Sequence, residues 1–232
     1  MDDTLFCRPP RGNTPAHSAS RHKRSAGYRD KFWENGRTLK IGFVDDYLDE
    51  THRQAIVDAI LQWQPHIGLE LVFIDGREGQ PGHGQGDIRI TTDSEMNYSL
   101  IGTDARSNDP WTPTMVLGIR PSHPRFTATV MHEFGHALGL EHEHQHPDAD
   151  IPWDVDKVYA HYTAKGIDRT EVDEQVMNRL PRNGMRTTAY DKTSIMHYPV
   201  PNELTIGDWE VGHNLALSEL DKALVRSMYP KN

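Results

Sequence analysis

The chain has 232 residues, 36% of them hydrophobic and 25% charged, with a formal charge of −9. That length allows one substantial core, and a mean hydropathy of −0.71 with no apolar run near about 18 residues excludes a membrane-spanning helix. The acidic balance argues against a nucleic-acid partner, because phosphates need clustered cations, and the single cysteine, Cys7, rules out an intrachain disulfide.

Residues 1–27 mix Pro, Ser, Arg and His without periodicity and read as a flexible tail. They carry no apolar signal-peptide core. Residues 28–232 then read as a single domain. Leu39, Ile41 and Phe43 alternate as in a half-buried strand. Residues 49–64 follow as a helix, with Ala55, Ile56, Ala59, Ile60 and Trp63 on one face. Leu69, Leu71 and Phe73 suggest a second strand, and the glycine-rich 76–86 a loop. Residues 87–91 and 114–119 look like two more strands, the latter a candidate upper rim of a cleft able to pair with an extended peptide. A helix begins near Pro124 and ends at Gly139, where Pro suits a first turn and Gly a left-handed C-terminal cap. Helical patches follow at 153–162 and 170–180, and a last helix runs from Ser218, a good N-cap. Strands with one helix, then a second helix, then irregular chain make an α+β domain with two lobes.

The chemistry concentrates in 130–148, VMHEFGHALGLEHEHQHPD. His132 and His136 are four apart, so on a helix both imidazoles leave the same face and can reach one Zn²⁺. Glu133 is offset around the helix, placed toward water on the metal rather than toward the metal. Gly139 can turn the chain sharply and return His142 as third ligand. Three protein ligands leave a fourth position for water, the arrangement of a catalytic zinc. The expected metal site is therefore His132, His136 and His142, with one catalytic Zn²⁺ and Glu133 as general base. Glu141 reads as solvent-facing, and His144 and His146 read as neighbours of the site or surface residues.

HEFGHALGLEHEH resembles the metzincin zinc peptidases, and SIMHY at 194–198 resembles their Met-turn in its astacin form. Tyr190-Asp191, Trp33-Glu34-Asn35-Gly36 and the terminal LSELDKALVRSMYP match more loosely. The resemblance covers about residues 31–230. It implies a zincin-type two-lobed domain: a small twisted mixed sheet and metal-binding helix (upper lobe, about 28–140) above an irregular lower lobe with a C-terminal helix (about 141–232). It also implies Met196 as a hydrophobic floor and Tyr198 as an extra ligand at rest that stabilises the oxyanion during turnover. Glu143 would tether a cut N-terminus or orient the site. Two departures stand out: the family's disulfides are absent, and His146 replaces its arginine after the third histidine, although Asp148 matches the acid that follows.

The expected function is zinc-dependent endopeptidase cleavage of protein substrates, with no nucleic-acid or membrane-span partner and a monomer assumed. A metzincin of another, matrixin-like branch and an inactive zinc-containing peptide-binding module are the alternatives. Family resemblance points to secretion, while the sequence has no signal peptide and no disulfides. The basic run at 21–24 resembles a proprotein-convertase site, and Cys7 could then be a zinc-blocking thiolate of a short prosegment. A disordered tail with an incidental cysteine is the plainer reading.

Overall fold

The structure, a computed structural model, describes residues 27–231. The tail, Cys7 and the 21–24 run lie outside them, apart from Gly27. That residue forms β1 (Gly27–Tyr28), paired antiparallel with β7 (Met185–Arg186).

The main sheet is built from short strands whose apolar residues alternate. In β2 (Thr38–Phe43), Leu39, Ile41 and Phe43 are buried. It is flanked in parallel by β3 (Glu70–Asp75) and β4 (Ile88–Thr91), with Ile41 opposite both Phe73 and Ile88. Next to β4 lies β6 (Met115–Leu117), again parallel, and beyond it β5 (Asn97–Ser99), the one antiparallel strand. The order is β3-β2-β4-β6-β5.

This order corrects the rim expected at 114–119. Strand β6 is paired on both sides, and all three of its residues are buried. A wholly apolar strand belongs inside a sheet. The edge on this side of the sheet is instead β5, three residues of mixed polarity, with β3 at the opposite edge.

Helix α1 (Glu50–Ile60) starts at Asp49, whose carboxylate accepts from the Thr51 and His52 amides. It stops four residues before the expected end. Pro65 sits in a separate 3-10 turn, Gln64–His66, because proline cannot continue a helical ladder. Helix α2 (Phe126–Ala137) packs against α1, β5 and β6 and is buried nearly all round. Two indoles bond to its carbonyls: Trp63 Nε1 to Met131 O at 3.1 Å and Trp33 Nε1 to Ala137 O at 2.8 Å.

Below α2 the chain is looser. Helix α3 (Val155–Thr163) and α4 (Arg169–Val172), which continues into one π-helical turn, Asp173–Met177, enclose a small core of Val158, Tyr162, Val172, Val176 and Leu204. Helix α5 (Glu219–Met228) carries a full capping box between Ser218 and Asp221. It returns to the upper core, where Leu224, Val225, Met228 and Tyr229 join the cluster containing α1, α2 and the sheet. No helix among the described residues is long and apolar enough to cross a membrane.

Candidate metal centre

Helix α2 ends by a specific device. Gly139 has φ +99°, its N–H bonds to His136 O, and Leu140 N–H bonds to Gly135 O. This is the glycine-terminated Schellman closure. A side chain at 139 would be strained there, and the reversal sends 140–146 back along the helix. His142 thereby comes within reach of His136: their Nε2 atoms are 3.0 Å apart. The candidate ligand atoms of His132, His136 and His142 all lie within 4.8 Å of one another.

The other ring nitrogens set the chemistry. His132 Nδ1 lies 2.8 Å from Ile195 O, and His136 Nδ1 lies 2.8 Å from Leu140 O. A carbonyl only accepts, so each Nδ1 carries the hydrogen and each Nε2 presents its lone pair. His132 Nε2 is fully covered and has no hydrogen-bond partner in the protein. A buried acceptor without a donor is costly, and a cation at the cluster would satisfy it. The donor set, three neutral imidazoles, suits zinc. Backbone carbonyls orienting two of the ligands are the outer support such a metal needs.

Burial pushes all three imidazoles toward neutrality: His132 to about 4, His136 to about 3, and His142 well below the ordinary value. For His136 and His142, neighbouring imidazoles add to the burial effect. Below the unfolded value of 6.5 the folded protein then binds fewer protons than the unfolded chain, so stability falls as pH drops from 6.5 toward 4. At pH 5, His132 alone costs about 2 kcal/mol. The metal-stripped protein is expected to melt several degrees lower at pH 5 than at pH 7. An unchanged melting temperature would mean these rings are not held neutral.

Glu133 is 2% exposed, in the turn that carries His132, and is not one of the three clustered residues. Met196 is buried against α2 at Gly135. A Cβ at Gly135 would collide with its Sδ, so glycine at that motif position is a packing requirement. Tyr198 lies within the imidazole array. Its ring is 4.1 Å from His142 and 5.8 Å from His132, and it stacks on His144 at 4.7 Å.

The surrounding segment is more buried than the sequence suggests. Glu141, expected to face solvent, is 8% exposed, because the reversal at Gly139 folds 140–146 into the interior. His144 and His146 are buried too and are not among the clustered ligands. His144 Nε2 and Gln145 Nε2 bond to the Gln175, Glu174 and Asn178 carbonyls around the π-helical turn. The Glu143 carboxylate accepts from Asp191 N–H at 2.9 Å, and burial raises its pKa to about 9. Asp148 pairs with Arg182.

One residue was missed by sequence reasoning. The Asp221 carboxylate accepts from Ser194 Oγ (2.5 Å), Ile195 N–H (2.8 Å) and Ser218 N–H (2.8 Å). It fixes the N–H of Ile195, the residue whose carbonyl, in the next peptide unit, holds His132. The S-x-x-D pattern after residue 217 was the available signal.

The sequence model of the Astacin peptidase family matches residues 26–230. The structure of myroilysin is similar, with 34% identity and a TM-score of 0.81, covering 89% of this chain and 99% of that one. High choriolytic enzyme 1, a hatching enzyme zinc-protease from the medaka fish Oryzias latipes, shares the fold. It has 17% identity and a TM-score of 0.61, covering 88% of this chain and 96% of that one. Among curated proteins, zinc metalloproteinase nas-36 of Brugia malayi is 29% identical over 76% of this chain, and the astacin-like metalloendopeptidase of Gallus gallus 23% identical over 90%. The chain spans 26% and 49% of the lengths of these two. The match over nearly all the described residues, together with the three-histidine cluster, places the chain in the astacin family of peptidases.

Proposed function

We propose that this chain is a zinc-dependent endopeptidase in which residues 28–232 form one catalytic domain and His132, His136 and His142 hold the metal. The observation that carries the reading is the convergence of three neutral imidazoles, two of them oriented by backbone carbonyls, at a helix packed against the open-edged strand β5. That edge offers unpaired backbone groups to an extended peptide. Proteins or peptides are the proposed substrates.

Zinc supplies Lewis acidity when bound, polarising a carbonyl and lowering the pKa of water to about 7. The side chains do the rest. Glu133 takes the proton from the attacking water and hands it to the leaving amine. Tyr198 donates its hydroxyl hydrogen to the oxyanion as the carbonyl becomes tetrahedral, a contact worth about 3 kcal/mol in comparable sites. Stacking on His144 and a tilted contact with His142 keep its ring beside the metal ligands, which favours this scheme over a matrixin-like one. Met196 supports the ligands from below, and Glu143, tied to the Asp191 backbone, braces the loop after the third histidine.

Metal analysis and casein cleavage test the reading together. One zinc per chain is expected, with cleavage lost on chelation and restored by zinc. Cleavage unaffected by chelation would overturn it, and zinc binding without cleavage would leave a peptide-gripping module.

A further inference from the structure

We propose that a cationic cavity beside the end of β5 is a subsite selecting an acidic substrate side chain about three residues to the C-terminal side of the cleaved bond. The proposal rests on the endopeptidase reading and adds to it the class of substrate.

The cavity, of about 470 Å³, is lined by residues that include Glu95, Asn97, Gly118, Arg120, His123 and Arg125. Its position follows from the fold. Asn97 is the first residue of the open-edge strand, opposite Leu117, and Arg125 immediately precedes α2. His132 lies seven residues further along, about 10 Å down the helix axis at 1.5 Å per residue. An extended peptide covers that distance in about three residues. A substrate paired antiparallel to β5, the more stable arrangement, runs toward Asn97. The side chain arriving at the cavity therefore belongs to the part of the substrate after the cut.

The charge is unusual for this molecule. In a chain carrying −9 overall, two guanidinium groups and an imidazole meet one lining carboxylate, that of Glu95. The two arginines differ in freedom. Arg120 is exposed. Arg125 packs on His213 from the lower lobe, with Nη1 2.9 and 3.0 Å from the two ring nitrogens, so it reaches across from the upper lobe already oriented. The wall between them is firm. Gly118 N–H bonds to Met96 O at 2.8 Å, and a Cβ on Gly118 would lie 2.6 Å from Ser94 O. A fixed wall with one oriented and one adjustable guanidinium suits a carboxylate, which accepts paired N–H donors.

Quenched-fluorescence peptides identical except for Asp, Ala or Lys at the second, third or fourth position after the cut test this on the zinc-loaded protein. The ratio of kcat/KM for Asp over Lys is expected to peak at the third position at roughly tenfold, the factor set by one charge-assisted hydrogen bond. It should shrink when salt rises from about 0.05 to 1 M, as screening requires. In Arg120→Glu the ratio should fall to one or invert. Each ratio is read within one sample, so a partly folded variant does not bias it. Equal rates at all three positions, a preference for Lys, or an Asp preference untouched by Arg120→Glu would overturn the subsite. Failure to cut any peptide would overturn the endopeptidase reading itself, and the subsite with it.

Discussion

Glu133→Gln is expected to retain one zinc per chain and to lose peptide cleavage by about a thousandfold or more. The substitution keeps shape and volume at a site only 2% exposed, so packing around α2 should survive. What it removes is basicity. An amide cannot accept the water's proton or pass it to the leaving amine, and such proton transfer contributes typically ~10²–10⁴-fold. The metal ligands are untouched, since Glu133 is not one of the three clustered residues. Zinc content and steady-state cleavage, measured on the same preparation, separate the two effects. A variant that still cuts within about tenfold of the parent would sink the general-base role, and loss of zinc would move Glu133 into the metal's own shell.

The second large effect is expected at Asp221. Removing this carboxylate by Asp221→Ala strands three donors: the buried Ser194 hydroxyl and Ile195 amide, and the half-buried Ser218 amide. It also breaks the capping box of α5. Each unmet buried donor costs about 1–3 kcal/mol; relaxation will recover part, leaving a loss of roughly 3 kcal/mol, or about 6–12 °C in Tm for a domain this size. Zinc affinity should fall as well, by about tenfold, because the Ile195 carbonyl loses the support that aims His132. Asp221→Asn keeps one acceptor oxygen and should lie between. Thermal unfolding of the zinc-loaded protein and competition with a chelator give the two readouts. A variant melting within about 2 °C of the parent, less than 1 kcal/mol costs at this size, would show that the Met-turn stands without this contact.

The three-histidine cluster was legible in the sequence because its geometry is local. A spacing of four on a helix and one glycine able to take φ +99° bring three imidazoles together with little help from elsewhere. Tyr198 and Met196 are different. No spacing rule places them beside His142, and only the resemblance of SIMHY to a known turn pointed there. The rim strand was misread for a related reason. The apolar run at 114–119 looked more like a strand than Asn97–Ser99 does, yet its very apolarity marks an interior position. Three residues of mixed polarity are too few to show alternation, although they make the sheet's edge. Burial of Glu141 and the bonds of Asp221 arise from distant segments folding back, which a reading by periodicity does not see.

Tyr229 is wholly buried, donates its hydroxyl to Leu138 O at 2.6 Å and accepts from Trp33 N–H at 3.2 Å. It thus fastens the start of the domain to the far end of α2 with a side chain 196 residues along the chain from Trp33. A chain cut before Ser218 would hold all three clustered histidines yet lack both this fastening and Asp221. The histidine cluster is therefore closed by contacts of long sequence separation, which form only after the entropy of closing a large loop has been met, so its rigidity belongs to the last steps of folding.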